Sequence, residues 1–166
     1  DALGAAPPIG KNTGVCEGLL KVCGGAEGWV DPDLSQVSGY EPVELSCDGL
    51  DNDCDGETDE GLDAPPADKH IGVCSVANKV CYGAGGWQEP NYFQLSGYQA
   101  QESACDGLDN DCDGEIDEEL SAELASLQKG VCEGALEVCA GFGGWQEPNY
   151  ASHSNLYEGS QEASCD

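Results

Sequence analysis

The apolar positions of this chain fall in short clusters that recur in the same form: GVCEGLLKVC at 14–23, GVCSVANKVC at 72–81 and GVCEGALEVC at 130–139. In each, valine and cysteine flank a short central run. That pattern predicts a tight β-hairpin with its two cysteines facing each other across the strands. A Gly-Trp-x-x-Pro stretch follows (GWVDP, GWQEP, GWQEP), then an irregular polar span, an acidic loop and a linker. The linkers differ. DEGLDAPPADKHIG carries Pro65 and Pro66 and should be an extended spacer, whereas DEELSAELASLQKG puts Leu120, Leu124 and Leu127 on one helical face and predicts a short helix near 118–129.

The clusters mark a repeat. Cys16, Cys74 and Cys132 lie 58 residues apart, as do Trp29, Trp87 and Trp145, and Cys47 and Cys105; Cys165 follows Cys105 by 60. A fixed period of this length is the signature of an array of small units. The units run 1–58, 59–116 and 117–166, the last stopping at the start of its acidic loop. The expected fold is an array of small disulfide-rich and metal-stapled repeats, beads on a string, mostly irregular, with short β-hairpins and one short helix.

Composition supports small units over one large core. With 39% hydrophobic residues, Gly 24, Phe 2 and Met 0, apolar surface is scarce, so cross-links must replace part of the core. Eleven cysteines supply them and predict an oxidising, extracellular or cell-surface address. Cys16 and Cys23, Cys47 and Cys54, Cys74 and Cys81, Cys105 and Cys112, and Cys132 and Cys139 are each seven apart. This favours local pairs. The alternative, a hairpin cysteine bonded to a loop cysteine, stays open, because spacing does not fix connectivity. Cys165 has no partner seven residues on, and its partner is expected outside this segment.

The ends point the same way. Matching Ala6-Pro7-Pro8 to Ala64-Pro65-Pro66 sets Asp1 opposite Asp59, and the chain stops at Cys165-Asp166, where another acidic loop would begin. The expectation is a window on a longer array. No signal peptide and no apolar membrane-spanning run is visible, in keeping with a mature piece of a secreted protein or an excised segment.

Charge narrows the chemistry. Lys+Arg 5 against Asp+Glu 33 gives a net charge of -28, which excludes nucleic acid and anionic membranes as partners, and with no apolar spanning run membrane insertion is not expected either. Much of it is concentrated in CDGLDNDCDGE, present letter for letter at 47–57 and 105–115. From Asp51 and from Asp109 the loop fits D-x-D-x-D-G-x-x-D, in which carboxylates at positions one, three and five curl round one centre. The glycine at six allows the turn, seven offers its carbonyl and nine closes the shell. The expected Ca²⁺ ligands are Asp51, Asp53, Asp55, the Glu57 carbonyl and Asp59 in the first loop, and Asp109, Asp111, Asp113, the Glu115 carbonyl and Asp117 in the second. Leu62 and Leu120 stand where an EF-hand has its bidentate glutamate. Asp48 and Asp106, or Glu60 and Glu118, are the candidates for the missing oxygen, with water as the other. Mg²⁺ suits such a flexible cage less well.

The stretch CDGLDNDCDGEIDE, with GVC....VC and GW upstream, resembles the metal-binding motif repeated in bacterial secreted and surface proteins of the copper-associated MopE type. The loop alone is also similar to the calcium loops of thrombospondin type 3 repeats and integrin propellers. Members of the first family carry a further cysteine shortly after the Trp, where this chain has VDP or QEP. Copper is not expected here: it prefers imidazole, thiolate or thioether, and Met is absent while His70 and His153 are isolated.

No nucleophile motif or phosphate loop is visible, so an enzyme is not expected. The leading reading is a calcium-binding structural repeat of a surface fibre, stalk or filament, with neighbouring repeats or identical chains as partners. The alternative is a calcium-shaped adhesion module for a surface glycan or protein. Trp29, Trp87 and Trp145 discriminate: buried, they form each unit's miniature core; exposed, they are binding platforms.

Overall fold

The computed structural model describes residues 4–157 and 159. It has the expected class of fold: short two-residue strands, single turns of 3-10 helix, four disulfides and otherwise irregular chain. Two compact units are present, Asp1–Ala67 with Asn78–Pro90 and Asp68–Ala77 with Asn91–Asp166. Among the described residues, no helix is long and apolar enough to cross a membrane.

The hairpins are real but lie further along the chain than the valine-cysteine pattern predicts. β1 (Val22–Cys23) pairs antiparallel with β2 (Trp29–Val30), β3 (Val80–Cys81) with β4 (Trp87–Gln88), and β5 (Val138–Cys139) with β6 (Trp145–Gln146). The strands opposite Val-Cys are thus the Gly-Trp segments. The GVC triplets are instead 3-10 turns, Gly14–Cys16, Gly72–Cys74 and Gly130–Cys132. Their leading glycine, at φ 52, 53 and 59, folds the chain into a turn and removes it from any ladder.

Each linker is drawn in beside the turn that follows. Pro8 bridges Leu20, Pro66 bridges Asn78 and Leu124 bridges Leu136, all antiparallel. This replaces the helix expected over 118–129. The Ala125 amide donates to the Ala135 carbonyl and the Glu137 amide to the Glu123 carbonyl, while Gln128 Nε2 donates to the carbonyls of Ala125 and Ala135. An isolated twelve-residue helix is marginal in water, and these tertiary bonds outweigh its local preference. The one α-helix among the described residues is α1 (Tyr150–His153), capped by Asn149, whose side chain accepts from the Ala151 amide.

The disulfides correct the local-pair expectation. They join Cys16 to Cys54, Cys47 to Cys81, Cys74 to Cys112 and Cys105 to Cys139, so each bonded hairpin cysteine meets a loop cysteine. The cause is the GVC turn, which packs against the acidic loop and brings Cys16 and Cys74 onto Cys54 and Cys112. Of the ten candidate cysteines, Cys23 (exposed) and Cys132 (buried) are unbonded. In the register of the others Cys132 would pair 38 residues ahead and Cys23 34 residues behind, and neither is a position of this sequence. Cys165 lies outside the described residues.

The buried apolar groups are few and small. Ile9, Cys16 and Cys54 form one cluster, with Leu19, Leu34 and Tyr40 against it; Ala125, Cys132, Ala135 and Tyr150 form another, with Tyr157 alongside. All three tryptophans are half-buried strand residues beside the hairpin cysteines, outside these clusters. Cystines and alanines, more than aromatics, make the core.

Candidate metal centre

Each acidic loop is shaped first by its own backbone. Asp51 accepts from the amides of Asp55 (3.0 Å) and Gly56 (3.1 Å), Asp53 from Asp55 (3.1 Å), and Asp55 from Glu57 (2.9 Å). The second loop repeats this: Asp109 accepts from Asp113 and Gly114, and Asp113 from Glu115. Short acidic side chains that bond amides two to five residues on favour such turns over helix or strand. Gly56 and Gly114, both at φ 102, make the sharp turn that the motif's sixth position demands.

The loop is then clamped from outside. The Val15 amide donates to the Asp51 carbonyl at 3.0 Å, and the Val73 amide to the Asp109 carbonyl at 3.0 Å. Asn52 and Asn110, almost wholly buried, donate from Nδ2 to the carbonyls of Gly39 (2.7 Å) and Gly97 (3.0 Å). At Gly14 and Gly72 the approach leaves no room, because a Cβ there would overlap the carbonyl oxygen of Asp51 or Asp109. Gly72→Ala is therefore expected to destabilise the fold by at least about 3 kcal/mol, combining a left-handed residue with a backbone overlap. Gly130, at φ 59 with nothing within 4 Å of the added carbon, isolates the first contribution. Gly130→Ala should cost only about 1–2 kcal/mol, and equal urea midpoints for the two variants would refute the clamp.

The structure brings together Asp51, Asp53 and Asp55, each with one carboxylate oxygen within 4.8 Å of the others. Asp51 and Asp53 are buried and Asp55 is exposed. Asp59 is elsewhere. Its carboxylate accepts from the amides of Asp48 (2.9 Å) and Gly49 (3.1 Å), and Asp117 does the same for Asp106 and Gly107. One Asp59 oxygen lies near Cys47 and Cys81, whose sulfurs are joined in a disulfide. Asp48 and Asp106 cap the next turn, accepting from Leu50 and Leu108. The side chains of Glu57 and Glu115 are exposed.

A second group of carboxylates is one that the D-x-D template does not contain. Glu44, Asp53 and Glu60 converge within 4.8 Å, as do Glu102, Asp111 and Glu118. Glu60 and Glu118 were among the candidate ligands; Glu44 and Glu102 were not. Their signal in the sequence was the period, since they too lie 58 apart, three residues before a loop cysteine. Lys11 and Lys69 also lie 58 apart, and their Nζ groups donate to the carbonyls of Asp53 (2.9 Å) and Asp111 (2.5 Å). Lys11 Nζ also stands 4.0 Å from the Asp53 carboxylate.

Crowding shows in the electrostatics. A backbone hydrogen bond favours the Glu60 carboxylate, but burial and the negative charges of Asp55, Glu44 and Asp53 outweigh it and hold its pKa above the usual glutamate value. Glu118 is raised in the same way, with Glu102, Asp113 and Asp111 as its neighbours. Such clusters are what a hard cation with flexible oxygen coordination binds. His70 is exposed, its Nδ1 3.2 Å from the Asp68 carbonyl, and the side chain of His153 lies outside what the structure describes.

Comparison with known proteins agrees with the geometry. The family described as "Putative metal-binding motif" (Cu-binding MopE) matches at residues 42–60 and again at 99–118. No curated protein and no solved structure matches the chain. Both matched segments span an acidic loop together with its converging glutamates. The chain is thus similar to the MopE-type metal-binding motif at two places, one in each compact unit.

Proposed function

We propose that this chain is an extracellular, calcium-binding, disulfide-stapled structural repeat, part of a longer surface fibre, stalk or filament, and that it has no catalytic role. The observation that carries the choice of ion is the donor set. The groups around Asp51, Asp53 and Asp55, around Glu44, Asp53 and Glu60, and around Glu102, Asp111 and Glu118 offer carboxylate oxygens alone, several negative charges within 4.8 Å, and the cysteines that approach Asp59 and Asp117 are closed in disulfides. Ca²⁺ takes six to eight such oxygens in irregular geometry, whereas copper selects nitrogen and sulfur. Eight of the cysteines are tied in disulfides, Met is absent, and neither loop cluster contains histidine.

The structural role follows from what the ions would do. They would neutralise loops that are crowded with like charge, so that binding energy becomes folding energy. Solenoid-like arrays take their stability from such unit-by-unit contributions. The 58-residue period supports neighbouring repeats as its partners.

Native mass spectrometry of the oxidised chain after calcium loading should show two Ca²⁺ ions per 166 residues, and elemental analysis should find calcium in place of copper. Copper at a stoichiometric level, resistant to dialysis against calcium, would reject the assignment.

A further inference from the structure

We propose that Glu44 with Glu60, and Glu102 with Glu118, are direct cation ligands that join Asp53 and Asp111 in sites reaching outside the aspartate loops. This rests on the reading of the loops as calcium sites and names the residues that hold the ion.

The position of Glu44 is the starting point. It is 6% exposed, and its Oε1 accepts from the amides of Asn52 (2.5 Å) and Asp53 (3.1 Å). The loop backbone therefore fixes the plane of the carboxylate. Its other oxygen, Oε2, is fully buried and has no hydrogen-bond partner. The same is true of Glu60 Oε2, and the two residues converge with Asp53 within 4.8 Å. A buried carboxylate oxygen without a donor is costly, and three carboxylates facing one another add repulsion to that cost. A cation between them removes both penalties.

The arrangement occurs twice. Glu102 is 5% exposed, and its Oε1 accepts from the Asn110 amide at 2.6 Å. Glu102 Oε2, Asp111 Oδ1 and Glu118 Oε2 are all buried and without partners. The nearby ammonium groups do not satisfy the glutamates: Lys11 and Lys69 donate to the carbonyls of Asp53 and Asp111, Lys11 also stands 4.0 Å from the Asp53 carboxylate, and the Oε2 atoms of Glu44, Glu60, Glu102 and Glu118 stay without a hydrogen-bond partner.

The ninth-position aspartates play a different part. Both oxygens of Asp59 and of Asp117 already accept backbone amides at 2.9–3.1 Å. The ligand that precedes the loop and the ligand that follows it are glutamates, so the ion would tie residue 44 to residue 60 across the whole motif.

The test is calcium titration of the full oxidised chain by calorimetry, with Tb³⁺ luminescence as a second probe, on E44Q/E102Q, E60Q/E118Q and D59N/D117N. Glutamine keeps an Oε1 that can accept the Asn52 and Asn110 amides, so the loop backbone retains its partner. Both glutamate variants should bind Ca²⁺ at least tenfold more weakly, while D59N/D117N should keep near-wild-type affinity per site. E60Q/E118Q carries the test by itself if E44Q/E102Q does not fold. Wild-type affinity in a folded glutamate variant would overturn the proposal and leave the calcium reading standing, with the ion held by Asp51, Asp53 and Asp55. Absence of Ca²⁺ and Tb³⁺ uptake by the wild-type chain would overturn both.

Discussion

Removing calcium from the oxidised protein with EDTA is expected to lower its melting temperature by about 10–20 °C. Each site occupied at a hundredfold excess over its dissociation constant adds about 2.7 kcal/mol, so two sites contribute roughly 5 kcal/mol. For a chain of this length each kcal/mol moves the midpoint by about 2–4 °C. The direction follows from the loops. Asp51, Asp53, Glu44 and Glu60 bring partly buried carboxylates within a few ångströms of one another, and unit charges 4 Å apart repel by about 4 kcal/mol at an effective dielectric of 20. Without a counter-ion the loop must open or take up protons. Differential scanning calorimetry in calcium and in EDTA reads this directly. A shift below about 2 °C would remove calcium from its organising role.

The second large effect is covalent. Replacing Cys74 and Cys112 by serine opens a loop of sequence separation 38 and should cost about 4 kcal/mol by chain entropy alone. The loss should be local as well as global. The disulfide holds the GVC turn against the second acidic loop, where the Val73 amide meets the Asp109 carbonyl. Calcium affinity at that loop should fall with stability, while the first loop, held by Cys16 and Cys54, keeps its ion. Cys23→Ser, at an exposed and unbonded position, should change stability by less than about 0.5 kcal/mol. Urea unfolding of the three proteins gives the comparison, and equal midpoints would deny the disulfide its role.

Much of this could be read in the sequence, because the repeat and the metal motif are encoded locally. The 58-residue period needs only landmark residues, and the aspartate turns follow from side chains that bond amides two to five positions on. What could not be read depends on contacts between segments. Cys16 is as far from Cys23 as Cys47 is from Cys54, so spacing favoured local pairs. The real choice is made where the Gly14 turn docks on the Asp51 carbonyl, a contact across some 37 residues. The segment at 118–129 has leucines at helical spacing, but Leu124 finds an antiparallel partner in Leu136 and Gln128 bonds across to Ala135. Glu44 lies seven residues before Asp51, outside the nine-residue D-x-D-x-D-G-x-x-D pattern. Only the fold turns it inward.

The four disulfides also set how the chain would behave under tension. Their spans, 16–54, 47–81, 74–112 and 105–139, overlap end over end, so every peptide bond from Cys16 to Cys139 is bypassed by at least one cystine. A protease that cuts once anywhere in that stretch releases nothing until the nicked molecule is reduced. The shortest covalent path runs through four cystines and three seven-residue segments, about 95 Å fully drawn out, against about 420 Å for the reduced chain. Pulled from its ends, this stretch could lose its folded structure without parting, and the cystines would stop its extension at that shorter path.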